Sequence, residues 1–149
     1  MDQFYLEIGI KYVHFLSIFF IIASLSAEYI LLKKEMTRKE IRRLATIDGI
    51  YGLNALLLLA AGFSLWFWVG KPAEFYSKNW IFMTKLTLFI IVGILSIYPT
   101  VFFLRQRKGD QNERVHVPSR IKMMVRIELL ILFSIPLLAT LMSRGIGFI

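Results

Sequence analysis

The chain has no cysteine, which excludes disulfide bonds, iron–sulfur clusters, thiolate metal sites and a cysteine nucleophile. No His-x-x-x-His spacing and no glycine-rich nucleophile turn occurs, so its carboxylates have no companions for hydrolytic chemistry. No Pro-, Ser- or Gly-rich linker, internal repeat or low-complexity tract divides the 149 residues, and the length fits a single domain, residues 1–149. Charge is scarce over four long stretches and crowded between them. Apolar residues make up 57% of the chain and the mean hydropathy is +0.64. A soluble domain carries roughly 45–50% apolar residues, so the chain has more apolar surface than a soluble fold can hide.

The four apolar runs lie near residues 10–32, 45–69, 79–104 and 123–143. Each reaches the roughly 20 residues that a helix needs to cross a hydrocarbon core about 30 Å thick. The fold class this predicts is all-α, a transmembrane four-helix bundle. The first run reads as a retained span and not as a cleavable signal, because Asp2 and Glu7 precede Lys11 where a signal peptide has a positive region, and the run exceeds a typical signal core. The connection from Lys33 to Arg43 holds six basic residues and the stretch from Arg105 to Arg126 holds seven. By the positive-inside rule both belong in the cytoplasm, with both termini outside, on the periplasmic side. The net charge of +8 therefore reads as loop placement at a membrane and not as a nucleic-acid footprint.

Further features follow the same logic. Gly49, Gly52, Ala55, Ala60, Ala61 and Gly62 give span two small residues that permit close helix approach, within the bundle or against a second copy in a homo-oligomer. Trp66, Trp68 and Trp80 suit the outer interface, Lys71-Pro72 ends the second helix, and Ser143 to Gly147 ends the fourth. Pro99 and Pro136 each free a backbone carbonyl one turn earlier in their helices.

The ionisable groups inside the spans fall into two layers. His14 and Lys85 lie in the outer half, where Arg144 can join them. Glu28, Asp48 and Glu128 lie within a turn or two of the cytoplasmic boundary. A charge at membrane depth costs at least about 2.5 kcal/mol on insertion scales, so such groups turn inward to partners. His14 and Glu28 share one helical stripe within about 40° and stand roughly 21 Å apart along the axis. The simplest account of the inner layer is pairing with Arg42, Arg43, Arg105 and Arg126. Between the layers the polar side chains are Asn54, Ser17, Ser24 and Ser96, too few for a continuous proton wire unless water fills the gaps. His14 can act as a haem axial ligand and bundle interiors suit such cofactors, while a water- or lipid-bonded histidine at the headgroup boundary is the plain alternative. His116 reads as a solvated loop residue, and the methionines Met124 and Met142 as packing.

Taken together, Lys11-Tyr12-Val13-His14, Trp80-Ile81-Phe82-Met83-Thr84-Lys85-Leu86, Met123-Met124 leading to Glu128, and Arg144 resemble the HemJ-type membrane protoporphyrinogen oxidases. Leu95-Ser96-Ile97-Tyr98-Pro99-Thr100 and Ser143-Arg144-Gly145 are more similar to an uncharacterised group of four-span bacterial membrane proteins. The resemblance implies haem b between the helices with His14 as axial ligand of its iron, Lys85 near the porphyrin, six-electron oxidation of protoporphyrinogen IX, and a place in the bacterial inner membrane. The chain departs from the oxidase pattern at Ile21, where that pattern has tryptophan, and in lacking its Pro-Arg and second histidine near the end of the first span. Glu128 and Arg144, sixteen residues apart, fall on nearly opposite helix faces. Three functions remain open on these residues: a haem-associated redox protein, a small proton-coupled transport component built on Glu28, Asp48, Asn54 and Glu128, and a structural or interaction protein of the lipid bilayer.

Overall fold

The computed structural model describes residues 2–64, 67 and 80–144. Trp66, Trp68, Lys71, Pro72, Lys78, Asn79 and the 145–147 end lie outside the described residues. The elements run α1 (Asp2–Leu31), β1 (Glu35–Thr37), α2 (Arg38–Ser64), α3 (Trp80–Gln106), β2 (Arg114–His116) and α4 (Ser119–Ser143). All four helices are long and apolar enough to cross a membrane.

The helices overrun the apolar runs, for local reasons. Backbone hydrogen bonding continues past the hydrocarbon boundary wherever side chains permit it. At the start of α1 a Glu7–Lys11 ion pair of 3.1 Å bridges one turn. At the start of α2, Thr37-Arg38-Lys39-Glu40 forms a capping box. The Glu40 backbone N–H donates to Thr37 Oγ1 at 3.2 Å, and the Thr37 N–H donates to Glu40 Oε1 at 3.1 Å. Two otherwise orphaned donors are satisfied, and the helix begins seven residues before the apolar run does. Pro118 precedes α4 and fixes its first turn, with the Ile121 N–H bonding back to the Pro118 carbonyl at 3.0 Å.

Packing follows the chain: α1 lies mainly against α2 and α3 mainly against α4, with fewer contacts from α2 to α3 and from α1 to α4. The basic connections do not hang free. Their strands pair antiparallel, with Met36 opposite Val115 and Thr37 opposite Arg114. His116, exposed as its loop position suggested, stands opposite Glu35 in this ribbon. Arg38 donates to Glu113 Oε2 at 3.0 Å and to the Gln106 carbonyl at 2.7 Å, while Arg42 donates to the Arg107 and Gly109 carbonyls, both at 2.8 Å. Gly109 has φ +119°, a conformation that favours glycine, and a Cβ there would stand 2.8 Å from Arg38 Nε and displace that side chain.

Core residues concentrate toward this ribbon end, where Leu25, Ile41, Leu44, Phe103, Ile121 and Val125 are fully or almost fully buried. Outward-facing residues stay apolar: Phe19 is 70% exposed, Ile30 76% and Leu56 67%. An aqueous domain rarely exposes so continuous an apolar surface, whereas lipid solvates it.

Candidate functional site

Near the ribbon end the three inner acids meet. Glu28 from α1, Asp48 from α2 and Glu128 from α4 are buried and interact electrostatically with one another. The Tyr51 hydroxyl donates to Glu128 Oε1 at 3.3 Å and the Thr100 hydroxyl donates to Asp48 Oδ2 at 2.6 Å. Each of the four helices thus supplies a polar group to one small volume.

The expected arginine partners are not there. Among the described residues none of the three acids forms an ion pair. Arg42 instead serves the carbonyls of the 107–109 turn, and Arg43, Arg105 and Arg126 are exposed. The acids lie inside the bundle, whereas guanidinium groups at the ribbon end have water and loop carbonyls within reach at lower desolvation cost. Both Glu28 carboxyl oxygens are buried and receive no hydrogen bond, although Asp48 lies close beside them.

Among the described residues no three His, Asp or Glu side chains converge as a metal ion would require.

Tyr51 and Thr100 were not legible as site residues. Tyr51 follows Asp48 by three positions and so shares its helical face, a signal that spacing carries. Thr100 follows Pro99, and nothing in the sequence aims its hydroxyl at α2.

Toward the far end the packing opens into a cavity of about 630 Å³ lined by all four helices, with His14, Leu58, Gly62, Lys85, Leu132 and Pro136 among its walls. His14 and Lys85 face the same space and sense each other electrostatically. His14 Nδ1 is buried with no hydrogen-bond partner, while the Leu58 carbonyl lies within range of the ring. Gly62 presents its bare Cα to the imidazole: a Cβ there would stand 4.0 Å from His14 Cε1. Lys85 Nζ lies 5.9 Å from the Phe82 ring centroid, at the edge of cation–π range. The remaining walls are largely aliphatic and aromatic.

Between cavity and acids, Ser17 and Ser24 are buried on α1. With His14 and Glu28 they form a stripe at spacings of three, seven and four residues, one face of the helix. Asn54 does not join it, because its side-chain amide donates to the Ile50 carbonyl of its own helix at 2.8 Å, and Ser96 likewise turns to the Gly93 carbonyl at 2.6 Å. Arg144 is exposed at the C-terminal cap of α4 and is not brought to Glu128.

Four apolar helices with buried ionisable groups turned toward one another define a multi-pass integral membrane bundle. The chain belongs to the family described as predicted membrane protein (DUF2214), which it matches over residues 6–147. No curated protein and no solved structure matches it.

Proposed function

We propose that the far-end cavity binds a planar tetrapyrrole, haem b, with His14 as axial ligand, and that the protein serves redox chemistry of the porphyrinogen-oxidising kind. The observation that carries this reading is the buried, unpartnered Nδ1 of His14 in the same cavity as Lys85. A buried ring nitrogen without a hydrogen bond is costly, and coordination to a metal removes the cost. The volume lies within the roughly 300–1,000 Å³ of small-molecule sites, and the apolar walls with a few polar groups match their usual chemistry. The Leu58 carbonyl is suited to orient the imidazole, as carbonyls commonly do for metal-bound histidines. Lys85 would supply the positive charge for a propionate. Bound haem contributes one-electron redox chemistry at its iron. The basic ribbon end would face the cytoplasm of a bacterial cell, placing the cavity toward the periplasmic half of the inner membrane.

The test is an absorption spectrum of detergent-purified protein after haem-supplemented expression. A Soret band that is lost in His14→Ala is expected, and colourless wild-type protein overturns the reading.

A second reading is favoured by the two unpartnered oxygens of Glu28. Three buried acids without a cationic partner are a costly arrangement for a purely structural bundle interior. A site that loads and unloads protons in a bundle is what a proton-coupled transport component needs. In liposomes, pH-dependent flux should fall in Glu128→Gln, and unchanged flux removes this reading.

A further inference from the structure

We propose that the cleft between the end of α1 and the start of α4 binds the phosphate-bearing headgroup of an anionic lipid. It is a separate cavity of about 450 Å³ at the ribbon end, lined by the four cations Lys33, Lys34, Lys122 and Arg126 and by no acidic residue.

Two of these cations are already held. Lys33 pairs with Glu40 at 3.2 Å. Lys122 Nζ reaches the Leu32 carbonyl at 3.4 Å and sits 5.0 Å from the Tyr29 ring centroid, which fixes it as part of the wall. Lys34 and Arg126 have no hydrogen-bond or ion-pair partner among the described residues, and both are exposed. The two sides of the cleft are tied together by the Val117 N–H, which donates to the Lys34 carbonyl at 2.7 Å. At its floor α4 begins at Ser119 with no side-chain cap on its first turn. Its positive end adds to the field of Lys34, Lys122 and Arg126, the charge of Lys33 being offset by Glu40. Such a concentration of positive charge attracts a doubly or singly charged oxyanion.

Location selects the kind of anion. The cleft sits where two membrane spans end, and Ile30, Leu31, Met123 and Ile127 beside it are exposed and apolar. An acyl chain can therefore run along the bundle while its phosphate rests among Lys34, Arg126 and the start of α4. Basic pockets between helices at this depth are where anionic headgroups are held. A free phosphate offers the same oxyanion without the chains.

The experiment uses detergent-purified full-length protein, with phosphatidylglycerol or phosphatidylcholine added and bound lipid counted by native mass spectrometry. Phosphatidylglycerol should bind on the order of tenfold more tightly than phosphatidylcholine. The double variant Lys34→Gln/Arg126→Gln should lose most of that preference while its lipid-free melting stays unchanged. If the double variant fails to fold, Lys34→Gln alone supplies the comparison. Excess inorganic phosphate that leaves phosphatidylglycerol bound supports the lipid, whereas displacement at low concentration assigns the cleft to free phosphate and overturns the lipid. Equal binding of the two lipids, or a variant with undiminished preference, overturns the site itself.

Discussion

The Thr100 hydroxyl donates a 2.6 Å hydrogen bond to Asp48 Oδ2, joining α3 to α2 and so the second pair of helices to the first. Asp48 is buried and Thr100 half-buried, so the bond forms where water competes poorly. Removing the hydroxyl leaves a buried carboxyl without its donor. Thr100→Val should therefore lower stability by about 2 kcal/mol, and Thr100→Ser should retain most of it. Thermal or denaturant unfolding in detergent checks both, and equal melting of wild type and Thr100→Val contradicts a structural role for the bond.

Glu28 presents the opposite case. Its carboxyl is fully buried, its oxygens accept no hydrogen bond, and its close polar neighbour is another acid, Asp48, so an apolar side chain of similar volume gives up little there. Glu28→Leu should match or exceed wild-type stability, with a gain on the order of 1 kcal/mol. Glu28→Ala should fall below it, because the void is not refilled. If the carboxyl is functional, the more stable variant is also the inactive one, the trade expected of a site residue. A Glu28→Leu protein that unfolds early would show that the carboxyl holds the bundle together.

Gly62 tests the far-end cavity without replacing either polar residue. Gly62→Ala places a Cβ 4.0 Å from His14 Cε1, an ordinary contact, and should be tolerated. Gly62→Leu occupies the space in front of the imidazole. The Soret band proposed above should then disappear while the melting curve changes little, and a band that survives in Gly62→Leu places the chromophore elsewhere.

Gly109→Ala meets two penalties at once, a left-handed φ and the Arg38 guanidinium at 2.8 Å. The expected loss is more than about 1 kcal/mol. Because Arg38 is half of the clash, the loss should be smaller when measured in an Arg38→Ala background, and a double-mutant cycle reads the difference.

Glu113 lies in the loop outside the spans, and the Arg38 guanidinium beside it holds its carboxyl below the ordinary 4.5. A carboxyl whose value is lowered on folding stabilises the folded form above its unfolded value, and that contribution is lost as pH falls through the folded one. The Arg38–Glu113 contact should therefore persist at neutral pH and release in acid below 4.5. Carbon-13 chemical shifts of the Glu113 carboxyl report the midpoint, which should rise toward the ordinary value in Arg38→Gln. An identical midpoint in both proteins would remove Arg38 as the cause.

Much of this architecture was legible in residue order. Runs of apolar residues mark the four helices because lipid imposes one local rule, that about twenty consecutive residues be apolar. Basic residues between the runs mark the loops. What residue order hid lies at the boundaries. The capping box at Thr37 and Glu40 extends α2 well beyond its apolar run, and a six-residue strand ribbon ties the loops that composition alone paints as merely charged. Of the arginine partners expected for Glu28, Asp48 and Glu128, Arg42 bonds to the carbonyls of the 107–109 turn and Arg43, Arg105 and Arg126 are exposed.

Hydropathy and charge are properties of a local window, and they are enough to mark a four-span membrane bundle with ionisable side chains at two depths. Which of those side chains meet depends on how the helices pack. In a span whose lipid face is as apolar as its buried face, composition does not record the rotation of a helix about its axis. That rotation brings Tyr51 and Thr100 to the acids, turns Asn54 to its own backbone, and sets His14 and Lys85 around one cavity.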